Sequence, residues 1–264
     1  DRKSGTGTGQ DPVKTLLELD QVRLIGPNGD RLKSITLRLW KGERIALLGR
    51  SGAGKSSLIA IANGSLLPAE GRVLFQGEPL EQLTRRQRAL IGTLWQDLRL
   101  VEELSIAQNV NAGALGRRRL PWALANLLFR ISTEACRSCL RQAGLEESLL
   151  ADAGLDRPVG QLSGGQRQRV ALARLFRQQP ELMLADEPLA SLDPAIAAEV
   201  LDRLLISDSD GTLRSGAQAV LVSLHRPELI DRFDRVLGLR AGRLVLDRPA
   251  GAVSTADLRD LYAP

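Results

Sequence analysis

Residues 49–57 read GRSGAGKSS and follow directly on the apolar run Ile45-Ala46-Leu47-Leu48. No other stretch restricts the fold as tightly. Gly49-x4-Gly54-Lys55-Ser56 fits the spacing G-x-x-x-x-G-K-[ST]. Glycines let backbone N–H groups turn inward around phosphate oxygens. A helix starting near Lys55 adds the partial positive charge of its N-terminus. Lys55 would reach the β- and γ-phosphates of a nucleoside triphosphate, and the Ser56 hydroxyl would hold Mg²⁺. Gly49, Arg50, Ser51, Gly52, Ala53, Gly54, Lys55, Ser56 and Ser57 are therefore the candidate phosphate-binding set. A buried strand running into such a loop and then a helix belongs to an α/β fold with a parallel-rich sheet.

The rest of the chain agrees with that class. Leu16–Ile25 and Leu32–Trp40 read as strands joined at Asn28-Gly29, a strong hairpin signal. Arg44–Leu48 is a third strand, and a helix is expected from Lys55 to about Asn63. Further strands are expected at Arg72–Phe75, Ile91–Trp95, Glu181–Ala185, Ala219–Leu224, Arg235–Leu239 and Arg243–Leu246. Between them, residues of about 97–165 turn to a helical pattern of Ala, Leu and Arg and read as an insertion into the sheet domain. Residues 1–14 read as a disordered lead-in, 15–250 as one domain, and 251–264 as a short C-terminal tail.

Hydrophobic residues make up 43% and aromatics only 3%, so the core is built from Leu, Ala, Val and Ile. The net charge of +5 permits an anionic partner without arguing for one, and no nucleic acid is expected. No apolar run nears the ~20 residues of a spanning helix. The longest, Leu120 to Phe129 (LPWALANLLF), follows Arg117-Arg118-Arg119 and reads as a packed or interfacial helix. Cys136 and Cys139 share a C-x-x-C spacing, but with no second pair they read as two reduced thiols on a helix.

Two further elements carry chemistry. Leu182-Met183-Leu184-Ala185-Asp186-Glu187 is an apolar strand ending in two carboxylates, at the sheet edge where ligands sit in open α/β folds. Asp186 would support Mg²⁺ and Glu187 would polarise an attacking water. Leu162-Ser163-Gly164-Gly165-Gln166 reads as an N-cap and helix start over Gly164–Gln178, a second ready anion site.

Together with Gln96 in TLWQD, the run Ser191 to Asp193 (SLD), and His225 after AVLVSL, these motifs stand in an order that resembles the ATP-binding subunit of ABC transporters over about residues 16–250. The resemblance implies a P-loop NTPase (RecA-like) core, an antiparallel β subdomain and an inserted α-helical subdomain. It implies a head-to-tail dimer of two copies that sandwiches two ATP molecules, each between the phosphate loop of one copy and Ser163, Gly164, Gly165 and Gln166 of the other. Glu187 would be the general base, His225 would contact the γ-phosphate and orient Glu187, and Gln96 would sense γ-phosphate and Mg²⁺. Asp193 would communicate across the dimer, while Asp193-Pro194 also reads as a helix N-cap and first-turn proline. The metal set is Ser56, Gln96 and Asp186; the catalytic set is Glu187, His225, Gln96 and Lys55.

The family usually stacks an aromatic on adenine from the first hairpin, and Leu24-Ile25-Gly26-Pro27 offers none. Weaker ATP affinity or poorer discrimination against GTP is the expected result. The stretches ANGSLLPAEGRVLFQG, LGRRRLPWALANLL and ADEPLASLDP resemble the ATPases of phosphonate or phosphite importers. That implies separate transmembrane permease subunits, a solute-binding protein acting indirectly, and a place on the cytoplasmic face of a bacterial inner membrane. A lipoprotein-release or export ATPase, a soluble non-transport ABC protein and a nucleotide-gated interaction module are the alternatives.

Overall fold

A computed structural model describes residues 15–27, 29–190, 192–206, 213 and 216–263. Asn28 and Ser191, both singled out above, lie outside the described residues. In chain order the elements are β1 (Thr15–Gly26), β2 (Gly29–Trp40), β3 (Arg44–Leu48), α1 (Lys55–Ala62), β4 (Glu70–Phe75), β5 (Glu78–Pro79), α2 (Arg85–Arg88) and β6 (Ile91–Leu94). A helical stretch follows: α3 (Ile106–Ala112), α4 (Leu120–Leu128), α5 (Thr133–Gln142), α6 (Asp152–Leu155) and α7 (Gly164–Gln178). The chain then returns to β7 (Leu182–Ala185), α8 (Pro194–Leu205), β8 (Ala219–Ser223), β9 (Arg235–Arg240), β10 (Arg243–Pro249) and α9 (Thr255–Tyr262).

Two sheets result. One is antiparallel, in the order β2-β1-β4-β5. The other runs β10-β9-β3-β8-β7-β6 and is parallel except for the β10–β9 hairpin at its edge. The parallel strands are buried on both faces, which is why they read as unbroken apolar runs. Alternate residues feed two cores. Ile45, Leu47, Leu182 and Leu184 point toward α1 and the antiparallel sheet. Ala46, Leu48, Met183 and Ala185 point toward the helices, where Val110, Leu140, Val170 and Leu172 complete the packing. The fold is thus α/β, with the parallel sheet as the middle layer.

α3 and α5 pack on α7, so the helical stretch is anchored on the helix that opens with Ser163. Ser105 and Ser163 each cap their helix in the same way. The hydroxyl accepts from the N–H three residues on, and the Gln side chain there accepts from the serine N–H. Cys136 and Cys139 are free thiols on α5. Burial pushes the Cys136 thiol up to about 12, far from the thiolate that redox or metal chemistry requires.

The C-terminal residues depart from the expected tail. Ser254 caps α9, and Asp257 closes the capping box. Leu261 is buried against Gly238 of β9, where a side chain on the glycine would meet Leu261 carbons at 3.0 Å. The eight-residue TADLRDLY is short and strongly charged, so its helical period is hard to see beside its neighbours. No helix among the described residues is long and apolar enough to cross a membrane.

Candidate active site

β3 sits between β9 and β8, both of which come much later in the chain. The loop after it therefore opens at a break in strand order, the position where open α/β sheets bind ligands. Two glycines there resist substitution. Gly49 has φ 149°, and a Cβ on it would lie 2.4 Å from the Leu239 carbonyl oxygen. Gly54, the residue before α1, has φ 108°, and its Cβ would meet the Arg31 carbonyl oxygen at 3.0 Å. A side chain at Gly49 would collide with backbone, and one at Gly54 would be strained by the positive φ and crowded by the Arg31 carbonyl.

Lys55 follows at the first position of α1. Its side chain is 3% exposed. Its Nζ donates to the Gly49 carbonyl at 2.8 Å and to the Arg50 carbonyl at 3.3 Å. A third partner is Glu187 Oε1 at 3.3 Å. The lysine is thus folded back over its own loop, with its charge met by a carboxylate from the turn that follows β7.

Sheet register assembles the rest. Ala185 pairs with Val222 and with Leu94, and Leu47 pairs with Ser223. Asp186, Ser223 and the residues after Leu94 therefore leave the sheet side by side. Ser223 is fully buried and joins two neighbours: its Oγ donates to Asp186 Oδ1 at 2.9 Å and accepts from the Glu187 N–H at 2.8 Å. The Asp186 N–H is held by the Leu94 carbonyl at 2.8 Å. Glu187 takes a positive φ of 47°, a rare conformation for a side-chain-bearing residue and one that marks functional sites. That turn brings its Oε1 2.6 Å from His225 Nε2 as well as toward Lys55. Gly49–Ser57, Asp186, Glu187 and His225 are therefore one cluster, and Gln96, two residues beyond Leu94, stands exposed at the same edge.

The remaining sequence-derived residues are held elsewhere. Ser163 and Gln166 spend their side chains on each other, and Gln166 Nε2 also donates to Glu146 Oε2 at 2.8 Å. Ser163 and Gly164 are exposed at the positive end of the 15-residue α7. Asp193 caps α8, accepting from the N–H groups of Ala195 and Ile196 at 3.0 and 3.1 Å, with Pro194 in the first turn. Among the described residues, no hydrogen bond or ion pair ties Ser163–Gln166 or Asp193 to the Lys55 cluster.

Two residues were missed by the sequence reading. Ser223 carries a signal in hindsight, because a hydroxyl inside the apolar run AVLVSL must find a partner once buried. Arg174 of α7 donates to the Arg99 carbonyl at 2.5 Å and also to the Leu98 carbonyl. Leu98 and Arg99 both have positive φ, so the segment just after Gln96 is pinned to the helix that begins at Ser163. Nothing in the spacing of residues 98 and 174 announces that tie.

Beside the loop, a cleft of about 320 Å³ is lined by Gly26, Pro27, Asp30, Arg31 and Gly52, with no aromatic among them. Between sheet edge and helices, a groove of about 480 Å³ is lined by Arg85, Arg88, Trp95, Arg99 and Arg174. The Arg99 guanidinium lies 3.9 Å from the centre of the Trp95 ring.

Comparison with known proteins agrees with this geometry. Residues 32–190 match the ABC transporter family. The chain is 44% identical over 236 residues to the phosphonates import ATP-binding protein PhnC of Anaeromyxobacter dehalogenans, covering 88% of this chain but 45% of that protein. It is 40% identical to PhnC 2 of Pseudomonas aeruginosa, covering 94% of this chain and 91% of the relative. With PhnC 3 of Halalkalibacterium halodurans the identity is 35%, covering 94% of each. Among solved structures, cbiO1 from Clostridium perfringens, described as part of the ABC transporter complex cbiONQ, superposes with a TM-score of 0.71 at 25% identity, covering 94% of each chain. The dimeric structure of MJ0796, a bacterial ABC transporter cassette, gives 0.73 at 24% identity, covering 89% of this chain and 99% of that one. By motif order, fold and similarity to known proteins, this chain belongs to the ABC transporter family, as one of its ATP-binding ATPases.

Proposed function

We propose that this chain is the ATP-hydrolysing subunit of an importer for phosphonate or a related phosphorus oxyanion, working with separate membrane subunits. The observation that carries the hydrolytic part is the cluster of Lys55, Glu187 and His225 beside the glycine loop. The phosphonate part rests on three relatives named for phosphonates import, two of them matched over nearly their full length.

Lys55 holds its charge ready in a dry site, and a triphosphate entering the loop offers it a stronger anion than Glu187. Release from the lysine frees Glu187 to accept a hydrogen bond from a water at the terminal phosphorus. His225, 2.6 Å away, keeps that carboxylate aimed. Gln96 reports the state of the site, and the Arg174 contacts with residues 98 and 99 carry a shift of that segment into α7. The oxygen donors suit Mg²⁺: Asp186 keeps one carboxylate oxygen on Ser223, and the Ser56 hydroxyl is exposed. Ser56, Asp186 and Gln96 would hold the ion, which supplies charge neutralisation on the phosphates.

The exposed N-terminus of α7 is the other half of the site, contributed by a second copy packed head to tail. Asp193, exposed beside it, lies in the same contact. The permease docks in the arginine-lined groove around Trp95, next to the Gln96 segment. That puts the subunit on the cytoplasmic face of the membrane, with a solute-binding protein acting through the permease.

Reconstitution tests the reading. ATP turnover in proteoliposomes with the permease should rise when a solute-binding protein loaded with an alkylphosphonate is supplied. Turnover indifferent to any phosphorus oxyanion would remove the cargo assignment and leave the ATPase assignment intact.

A further inference from the structure

Helix α4 turns its apolar side outward. Leu120, Leu124, Leu127 and Leu128 fall at i, i+4, i+7 and i+8 and form one stripe of a 3.6-residue helix. They are 68%, 52%, 55% and 70% exposed, and Phe129 directly after them is 64% exposed. The inward position is Asn126, whose Nδ2 donates to the Gln108 carbonyl at 3.2 Å. This is the reverse of an ordinary surface helix, which buries its leucines and exposes its amides. The stripe lines none of the clefts described above, so it is an outward ridge.

The residues leading into this ridge are Arg117-Arg118-Arg119. Among the described residues no carboxylate pairs with any of the three, whereas Arg99 and Arg130 on either side in sequence are both paired. Arg117 is half-buried and turned toward α7, where it donates to the Arg177 carbonyl at 3.4 Å. The Arg118 guanidinium sits 5.4 Å from the centre of the Trp122 ring, on the first turn of α4. Two exposed cations without a carboxylate partner, Arg118 and Arg119, thus lead directly into the bare leucine stripe, while Trp122 lies on the Asn126 side of the helix.

We propose that α4 lies along an anionic bilayer surface, with its leucines and Phe129 in the upper acyl region and Arg118 and Arg119 on lipid phosphates. Charge complementarity selects this occupant. A membrane interface supplies negative phosphates and hydrocarbon at adjoining depths, the order in which the arginines and leucines are presented. Nine residues span only roughly 13 Å at 1.5 Å each, so the helix rests on the bilayer and does not cross it. The direct lipid contact needs no property of the phosphate loop, so it stands or falls separately from the ATPase reading.

Vesicle flotation of the full chain tests it, using phosphatidylcholine alone and phosphatidylcholine with about 30% phosphatidylglycerol as the anionic lipid. Binding should be roughly 10-fold greater on the anionic vesicles and should fall as salt rises. Leu124→Glu with Leu128→Glu should lose about 10-fold of that binding, and so should Arg118→Glu with Arg119→Glu, while ATP turnover in solution and helix content stay unchanged. Equal binding to both vesicles, or variant pairs that float as well as the parent, would overturn the proposal. So would a parent chain that ignores vesicles while the leucine variant loses capture of its permease in detergent, because a protein would then cover the stripe.

Discussion

The two ends of α7 and β7 that point to ATP chemistry are finished to different degrees. At the β7 end three charged groups have partners within the chain: Lys55 is met by Glu187, Glu187 by His225, and Asp186 by Ser223. At the α7 end the first residues are exposed, and the capping box satisfies two N–H groups while leaving the helix dipole facing solvent. In the proposed function, one copy therefore supplies the phosphate-binding half and presents the outer surface of a second anion site. Under the proposed head-to-tail pairing, nucleotide binding is a property of the single chain and turnover a property of two.

The largest effect should come from the finished half. Glu187→Gln is expected to lower ATP turnover by about 10²–10⁴-fold, the usual range for a general base, with nucleotide binding retained. Steady-state hydrolysis and equilibrium binding measured on one preparation separate the two quantities. Gly164→Asp strikes the unfinished half by placing a carboxylate at the positive end of α7. Turnover should fall about 10- to 100-fold, from loss of charged hydrogen bonds worth roughly 1.5–3 kcal/mol, while ATP affinity of the isolated monomer stays unchanged. Equal losses of binding in both variants would erase the distinction between the halves.

Smaller effects sharpen it. Ser223→Ala strands Asp186 Oδ1 and the Glu187 N–H in a buried place and should cost about 1–3 kcal/mol, read as a lower urea midpoint, with a modest drop in turnover. Asp234 offers a control far from the chemistry. Burial pushes its carboxyl up, but hydrogen bonds and charge from Arg44, paired at 2.7 Å, outweigh that and hold it below the usual carboxylate range. A depressed folded value means the contribution is present above the unfolded value of about 3.9 and is lost as pH falls through the lower folded value. Because the pair is partly exposed, Asp234→Asn should cost only about 1 kcal/mol or less near neutral pH. The gap between parent and variant should close on acidification below about pH 4, as followed by thermal melts.

Much of this was legible from residue order. The phosphate loop, the strand ending at Asp186-Glu187 and the helix from Gly164 to Gln178 stand where the apolar periods and glycines put them, because β3 and β7 are buried on both faces and tolerate nothing polar. Asp193-Pro194 signalled the α8 cap for the same local reason. What stayed hidden depends on register or on long-range contact. Ser223 becomes a link between Asp186 and Glu187 only because β8 lies beside β7, and Arg174 meets residues 98 and 99 only once α7 is packed. α9 was hidden because it is only eight residues long, with Leu258, Leu261 and Tyr262 as its contacts to the core and charged residues between them. The LPWALANLLF stretch looked equally suited to core or interface. The fold decided it, since the layer behind α4 is already filled by α3 and leaves the leucines outside.

The central claim is that two copies close on ATP, each completing the other's exposed anion site. Light scattering of the Glu187→Gln chain, with and without magnesium and saturating ATP, measures it directly. The mass should double when nucleotide is added and return to one copy when Gly164→Asp is introduced as well. A Glu187→Gln chain that binds ATP stoichiometrically and still scatters as a single copy, at concentrations well above those of the assay, would contradict the account.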